Sequence, residues 1–139
     1  MPSTPGLVDT YRRDVLRGKH REDDPYMMAV YTSRAELHPN RTRGYTPEHE
    51  ARGDGYPAGG IQLEGFKADL YGPVATLDWE NPVIEPCTLE GSAILIYNDS
   101  LPGKDAVYIG TFPEPISSTN GPWTPGFPPP GGKTSLIQW

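Results

Sequence analysis

Gly91-Ser92-Ala93-Ile94-Leu95-Ile96-Tyr97-Asn98, followed a few residues later by Ala106-Val107-Tyr108-Ile109-Gly110-Thr111-Phe112, is the stretch that decides the fold class. Over residues 88–97, Leu89, Ala93, Leu95 and Tyr97 alternate with Ile94 and Ile96. Both faces are therefore apolar, as in a strand at the centre of a sheet. Residues 98–104 hold Asn98, Asp99, Ser100, Pro102 and Gly103, which are turn formers. Residues 106–112 then read as the antiparallel partner, with Val107 and Ile109 facing inward.

Moving outward, residues 74–79 place Ala75, Leu77 and Trp79 on one side of a strand and Val74 and Thr76 on the other. Residues 61–71 alternate Ile61 and Leu63, then Phe66, Ala68 and Leu70, and the change of parity at Gly65 predicts a bulge within one strand. A proline-rich loop over 113–132, stiffened by Pro128-Pro129-Pro130, leads to a last strand at 134–139. The closing Ile137 and Trp139 predict a docked tail. Upstream, Tyr26-Met27-Met28-Ala29-Val30-Tyr31 reads as a buried strand. Residues 32–60 have few large apolar groups and many turn formers, and read as a long ordered loop. Thr46-Pro47 caps a short helical turn there, and Asp54-Gly55 and Gly59-Gly60 mark tight bends.

One helix is expected, over residues 4–18. Thr4 would be its N-cap and Pro5 its first residue; Val8, Tyr11 and Val15 form an apolar stripe. Asp9 lies early, Arg12, Arg13 and Arg17 lie late, and Gly18 is the stop. The expected fold is mainly β: a single antiparallel β-sandwich or barrel-like domain with one N-terminal helix. Residues 1–25 form the helix and an arm that can reach a neighbour, and 26–139 the β domain.

Composition supports this. The 139 residues include 16 glycines and 17 prolines, about twice the average share, which shortens elements and multiplies turns. The net charge of −6 argues against gripping phosphate backbones, which takes clustered Lys and Arg. The one basic cluster, Arg12, Arg13, Arg17, Lys19 and Arg21, is local. Cys87 stands alone, so an intrachain disulfide and thiol-rich metal sites are excluded. No basic-then-apolar leader opens the sequence and no run approaches about 18 apolar residues, so neither a membrane partner nor secretion is expected.

Motifs with a chemical look have plainer readings. Gly131-Gly132-Lys133-Thr134 resembles the end of a phosphate-binding loop, but that loop needs glycine at position 127, which is Phe127. Arg52-Gly53-Asp54, followed by Gly55, makes a good turn. His20, His38 and His49 have no ligand spacing, although Glu48 and Glu50 flank His49. Cys87 enters a strand, where a thiol packs as a small apolar group. Asp69, Asp78, Glu80 and Glu85 sit near strand ends, where charges guard sheet edges. Asn40-Arg41-Thr42 and Asn98-Asp99-Ser100 fit the glycosylation pattern only as loop markers.

Four phrases in order resemble a family of small tailed-bacteriophage virion structural proteins. They are Val15-Leu16-Arg17-Gly18; Met28-Ala29-Val30-Tyr31-Thr32-Ser33 with Ala35 and Leu37; Gly55-Tyr56-Pro57-Ala58-Gly59-Gly60; and the Gly91–Asn98 stretch quoted above. They span about two-thirds of the chain. The prolines after Thr111 depart from the family's plain strand pair. The resemblance implies a virion protein assembled in the host cytoplasm and without enzymatic activity. A capsid decoration or cement protein that binds the major capsid protein or other virion proteins is expected, as a trimer or dimer. A head–tail connector or tail-associated protein is the nearest alternative. A receptor- or glycan-binding module with Trp123 and Tyr56 as its stacking pair is another. No cofactor, metal or nucleic-acid partner is expected. Interface candidates are Tyr11, Arg12, Arg13, Tyr45, Tyr56, Trp123, Phe127 and Trp139, because aromatics and arginine are enriched where proteins meet.

Overall fold

In the computed structural model, which describes residues 3–128 and 135–139, the chain forms two antiparallel sheets packed together in a β-sandwich-like domain with one short helix. In chain order the elements are β1 (Gly6–Leu7), α1 (Asp9–Leu16), β2 (Tyr26–Tyr31), β3 (Ile61–Gln62), β4 (Lys67–Tyr71), β5 (Val74–Asp78), β6 (Ile84–Asn98), β7 (Ala106–Trp123) and β8 (Ile137–Gln138). The larger sheet runs β1-β7-β6-β2-β3 and the smaller β4-β5-β8.

The strand apolar on both faces is indeed central. Leu95 of β6 lies opposite Ala29 of β2 and Ile109 of β7, and Ala93 through Asn98 are all buried. Its partner is longer than residues 106–112, because β7 runs on to Trp123, and 113–123 are sheet rather than a proline-rich loop. Between the pairs Ala93↔Thr111 and Gly91↔Ile116, β7 sets residues 112–115 opposite the single Ser92. This wide bulge takes Pro113 and Pro115 out of the ladder, where a missing N–H costs nothing.

Two further expectations change. The helix starts at Asp9 with Val8 as its N-cap residue, since the preceding chain is drawn into the sheet. Gly6 and Leu7 pair with Ile109 and Tyr108, Val8 N donates to Val107 O at 2.9 Å, and Thr4 N donates to Leu37 O. Sheet hydrogen bonds thus displace the Thr4 cap, while Gly18, at φ +76°, ends the helix as expected. Residues 61–71 are two strands in two sheets. Gly65, at φ +73°, turns the chain out of the larger sheet after β3 and into β4 of the smaller one.

Aromatic rings join the sheets. Tyr26 of β2 stacks on Phe66 and tilts against Trp79, both at 5.5 Å between centroids, and Phe66 meets Trp79 edge-on at 5.7 Å. Such pairs add roughly 0.5–1.5 kcal/mol each beyond the area they bury. At the chain's end Asp78 Oδ1 accepts the Leu136 N–H at 2.8 Å, and Trp139 exchanges two backbone hydrogen bonds of 2.8 Å with Ala75.

The loop over residues 32–60 is anchored by one carboxylate. Glu50, 8% exposed, accepts the hydroxyls of Tyr45 at 2.6 Å and Tyr56 at 2.5 Å, and the Gly59 N–H at 2.8 Å. Burial, then the neighbouring Glu50, pushes both hydroxyls above the ordinary tyrosine range and keeps them as donors. The loop also completes the edge of β2 beyond β3: Ala51 N donates to Val30 O, and Val30 N donates to the Tyr56 hydroxyl at 2.9 Å. Gly60 fits this contact only without a side chain, since a Cβ would stand 1.9 Å from Met28 O.

Replacing Glu50 with Ala strands three donors around a buried site. The Tyr56 hydroxyl is the fully buried one of the three, and a buried unpaired donor costs about 1–3 kcal/mol, so E50A should lose about 1–3 kcal/mol of stability, read from the urea midpoint at unchanged m-value. Wild-type stability in that variant would deny the carboxylate its anchoring role.

Candidate interaction surface

The parity of β4, β5 and β8 puts one apolar row across the smaller sheet. Leu70 lies opposite Ala75, and Ala75 exchanges hydrogen bonds with Trp139, so the three side chains share a face. Leu70 is 69% exposed and Trp139 45%. One step inward the same face carries Ala68, Leu77 and Ile137, which line a cavity of about 230 Å³ closed by Tyr11 and Val15 of α1, His20, Tyr26 and Phe66. Leu16, the residue after Val15, is 84% exposed, and Tyr71 at the hairpin tip is 50% exposed. Among the described residues these four and Val83 are the large apolar side chains left to solvent.

A polar network secures the helix beside the cavity. Lys19 Nζ lies 3.0 Å from Asp105 Oδ2 and 3.6 Å from Asp14 Oδ2, and Arg13 Nε donates to Asp14 Oδ1 at 3.0 Å. Burial alone would raise the Asp14 carboxyl, but the Arg13 hydrogen bond and the charges of Lys19 and Arg13 outweigh it and hold the group below 3.8. Asp24 is likewise held low: burial is outweighed by hydrogen bonds from Asn98, the Arg21 backbone and Ser100. Asn98, 0% exposed, donates through Nδ2 to Asp24 Oδ2 at 2.8 Å and lies 3.2 Å from His20 Nδ1. The segment 19–25 is therefore tied to the body rather than free to reach a neighbour, as an arm would be.

Asp14, His20 and Asp105 each bring one potential metal-ligating atom within 4.8 Å of the others. The Lys19 ammonium already lies against both carboxylates. Asn98 presents a donor to His20 Nδ1, whereas a ligating imidazole ordinarily donates from its second nitrogen. The trio is better suited to an ion-pair network than to a metal.

The interface candidates divide. Arg12 and Arg13 are exposed but paired with Asp9 and Asp14. Trp139 lies on the exposed face; Tyr45 and Phe127 are half-buried. Tyr11, Tyr56 and Trp123 are 6%, 9% and 0% exposed, and a side chain packed in the core presents no surface to a partner. Trp123 sits opposite Ile84 with its indole N–H donated to Ile116 O. That also removes the pair Trp123 and Tyr56 as a platform for sugar rings. Leu16 and Leu70, which sequence reasoning did not select, are exposed instead; the polar context of Leu70, directly after Asp69, was the available signal.

The other motifs also find their places. Arg52-Gly53-Asp54 lies against β6, with Thr88 N donating to Asp54 O, and a Cβ on Gly53 would meet Thr88 O at 1.8 Å. Cys87 is 2% exposed, with its sulfur near Ile84 O and Ser118 Oγ. Glu50 is engaged by the tyrosines, not by His49. Asn98 is enclosed, so its glycosylation pattern marks a structural hub. Pro129, Pro130 and the Gly131-Gly132-Lys133-Thr134 motif lie outside the described residues.

His20 sets a pH dependence. Burial depresses its imidazole below the ordinary 6.5, against the upward pull of Asp105, Asp14 and Asp24. The unfolded chain then binds a proton where the native chain does not, so this contribution is full above pH 6.5 and is lost as pH falls below it. The low Asp14 and Asp24 carboxyls act in the same sense below about pH 4. Unfolding free energy measured from pH 8 to 5 should fall below 6.5 in the wild type, and this fall should be smaller in His20→Gln; an undiminished fall would exclude His20 as its source.

No protein-family model, no curated protein and no solved structure matches this chain.

Proposed function

We propose that this chain is a structural protein of a tailed-phage particle, a capsid decoration or cement protein that works by binding other virion proteins and not by catalysis. The observation that carries the binding role is the apolar row Leu70–Ala75–Trp139 beside an aromatic cavity. Large apolar side chains grouped on one face are what a protein partner covers. The virion setting rests on the four ordered sequence phrases. Contacts of this kind where shell subunits meet add stability at symmetry axes, which favours a trimer or dimer.

The Arg13–Asp14–Lys19–Asp105 network supports the same reading. It fixes α1, and with it the wall of the cavity, so little ordering would remain when a partner docks. Tyr45 and Tyr56, bonded to Glu50, likewise serve to order the loop.

Mass spectrometry of purified particles should find this chain in a fixed ratio to the major capsid protein. Leu70→Asp, at a solvent-exposed position, should fold with near-normal stability yet fall at least tenfold in particle content. Absence of the wild-type chain from purified particles would overturn the proposal, and undiminished incorporation of L70D would remove this face as the contact.

A further inference from the structure

Among the described residues four strands lie at sheet edges, and β1, β3 and β8 are two residues long. Short edge strands offer little to an incoming chain. Where β7 runs on beyond β1, its outer edge carries Pro113, Pro115 and Pro122, which also blunt an edge. β4 has neither guard. Its five residues, Lys67–Tyr71, are all exposed and include no proline.

Alternate residues of β4 turn their backbone groups outward. Ala75 exchanges both of its hydrogen bonds with Trp139, so Leu70 and Ala75 face each other without exchanging any, and the alternation gives the same for Ala68 and Leu77. The N–H and C=O groups of Ala68 and Leu70 therefore point away from β5. In the single chain the Leu70 N–H is met by its own neighbour, donating to Asp69 Oδ1 at 2.8 Å.

Side chains select the strand that fits this edge. Lys67 and Asp69 share one face of β4, with Ala68 between them on the other. A second, antiparallel copy of β4 centred on Ala68 sets Lys67 opposite Asp69 twice over, Ala68 opposite Ala68, and Leu70 opposite Phe66. Centring on Asp69 would oppose two carboxylates, which is destabilising, and centring on Leu70 would leave both charges without an opposite.

We propose that two copies of this chain pair β4 to β4 about a twofold axis at Ala68, joining their smaller sheets into one. The outward backbone groups supply the attraction, and the reciprocal ion pairs fix the register. Leu70, 69% exposed in the single chain, then packs on Phe66 at the rim of the other copy's cavity. A second copy is the occupant, rather than a foreign strand, because the charge pattern is complementary to itself and the contact closes. The inference rests on the assembly reading in treating Leu70 as a contact, and places that contact between copies.

Sedimentation equilibrium of the full chain should show a dimer. Lys67→Asp and Asp69→Lys, both at exposed positions, should each weaken it at least tenfold with an unchanged circular-dichroism spectrum. Mixing the two variants, or combining both changes in one chain, should restore it. Ala68→Cys should give disulfide-linked dimers under mild oxidation, since Cα atoms of a hydrogen-bonded pair lie about 5.5 Å apart, within disulfide reach; Leu70→Cys should not. Cys87, 2% exposed, does not compete. A wild-type monomer at millimolar concentration overturns the pairing, as does a dimer that both charge reversals leave intact, or cross-linking through Leu70→Cys in place of Ala68→Cys. A monomer that still enters particles overturns this pairing alone, and a dimer absent from particles overturns the virion reading alone.

Discussion

The contact of Tyr26 with Phe66 and Trp79 is the joint on which the architecture depends. It is where a strand of the larger sheet meets the segment entering the smaller sheet and the residue leaving it. Three-stranded sheets with strands of five, five and two residues have little surface to stand alone. Packed on Tyr26, the smaller sheet gains an apolar floor in Leu77 and Ile137, and its outer row is held at a set distance from α1. The cavity is the space left between these three parts.

A second constraint operates on polar groups. The long loop over 32–60 has little apolar mass to bury, so its order comes from hydrogen bonds. A single buried carboxylate gathers two tyrosine hydroxyls and one backbone N–H, and the loop backbone finishes the edge of β2. Charge-assisted bonds to a buried acceptor are stronger than neutral ones and give up more when broken. On the far side Asn98 does similar work without charge, holding Asp24, Ser100 and His20 at once. These two hubs leave the loops on either side of the central strands rigid, while the apolar row stays free.

Function follows from what is not absorbed by folding. Most aromatic residues are consumed by the core or by Glu50, so abundance of tyrosine and tryptophan was a poor guide to the interface. Position was the better guide: the residues available to a partner are those whose strand parity puts them beyond the last covering ring.

Alternation in the sequence determined that residues 91–98 and 106–112 are paired central strands, because a period of two with apolar groups on both faces has few other homes. Glycine at 18 and the glycines near 55–60 marked a helix end and tight bends for local steric reasons. Only the tertiary structure decided which pairings won. Gly6 and Leu7 joined the sheet because β7 offered backbone partners; residues 61–71 split between two sheets because Gly65 turns the chain; Pro113 and Pro115 entered a strand because a bulge spared them the ladder. The same holds for the surface. Burial of Trp123 and exposure of Leu70 depend on which face meets another layer, and that is settled by contacts between residues far apart in the chain, which no local pattern contains.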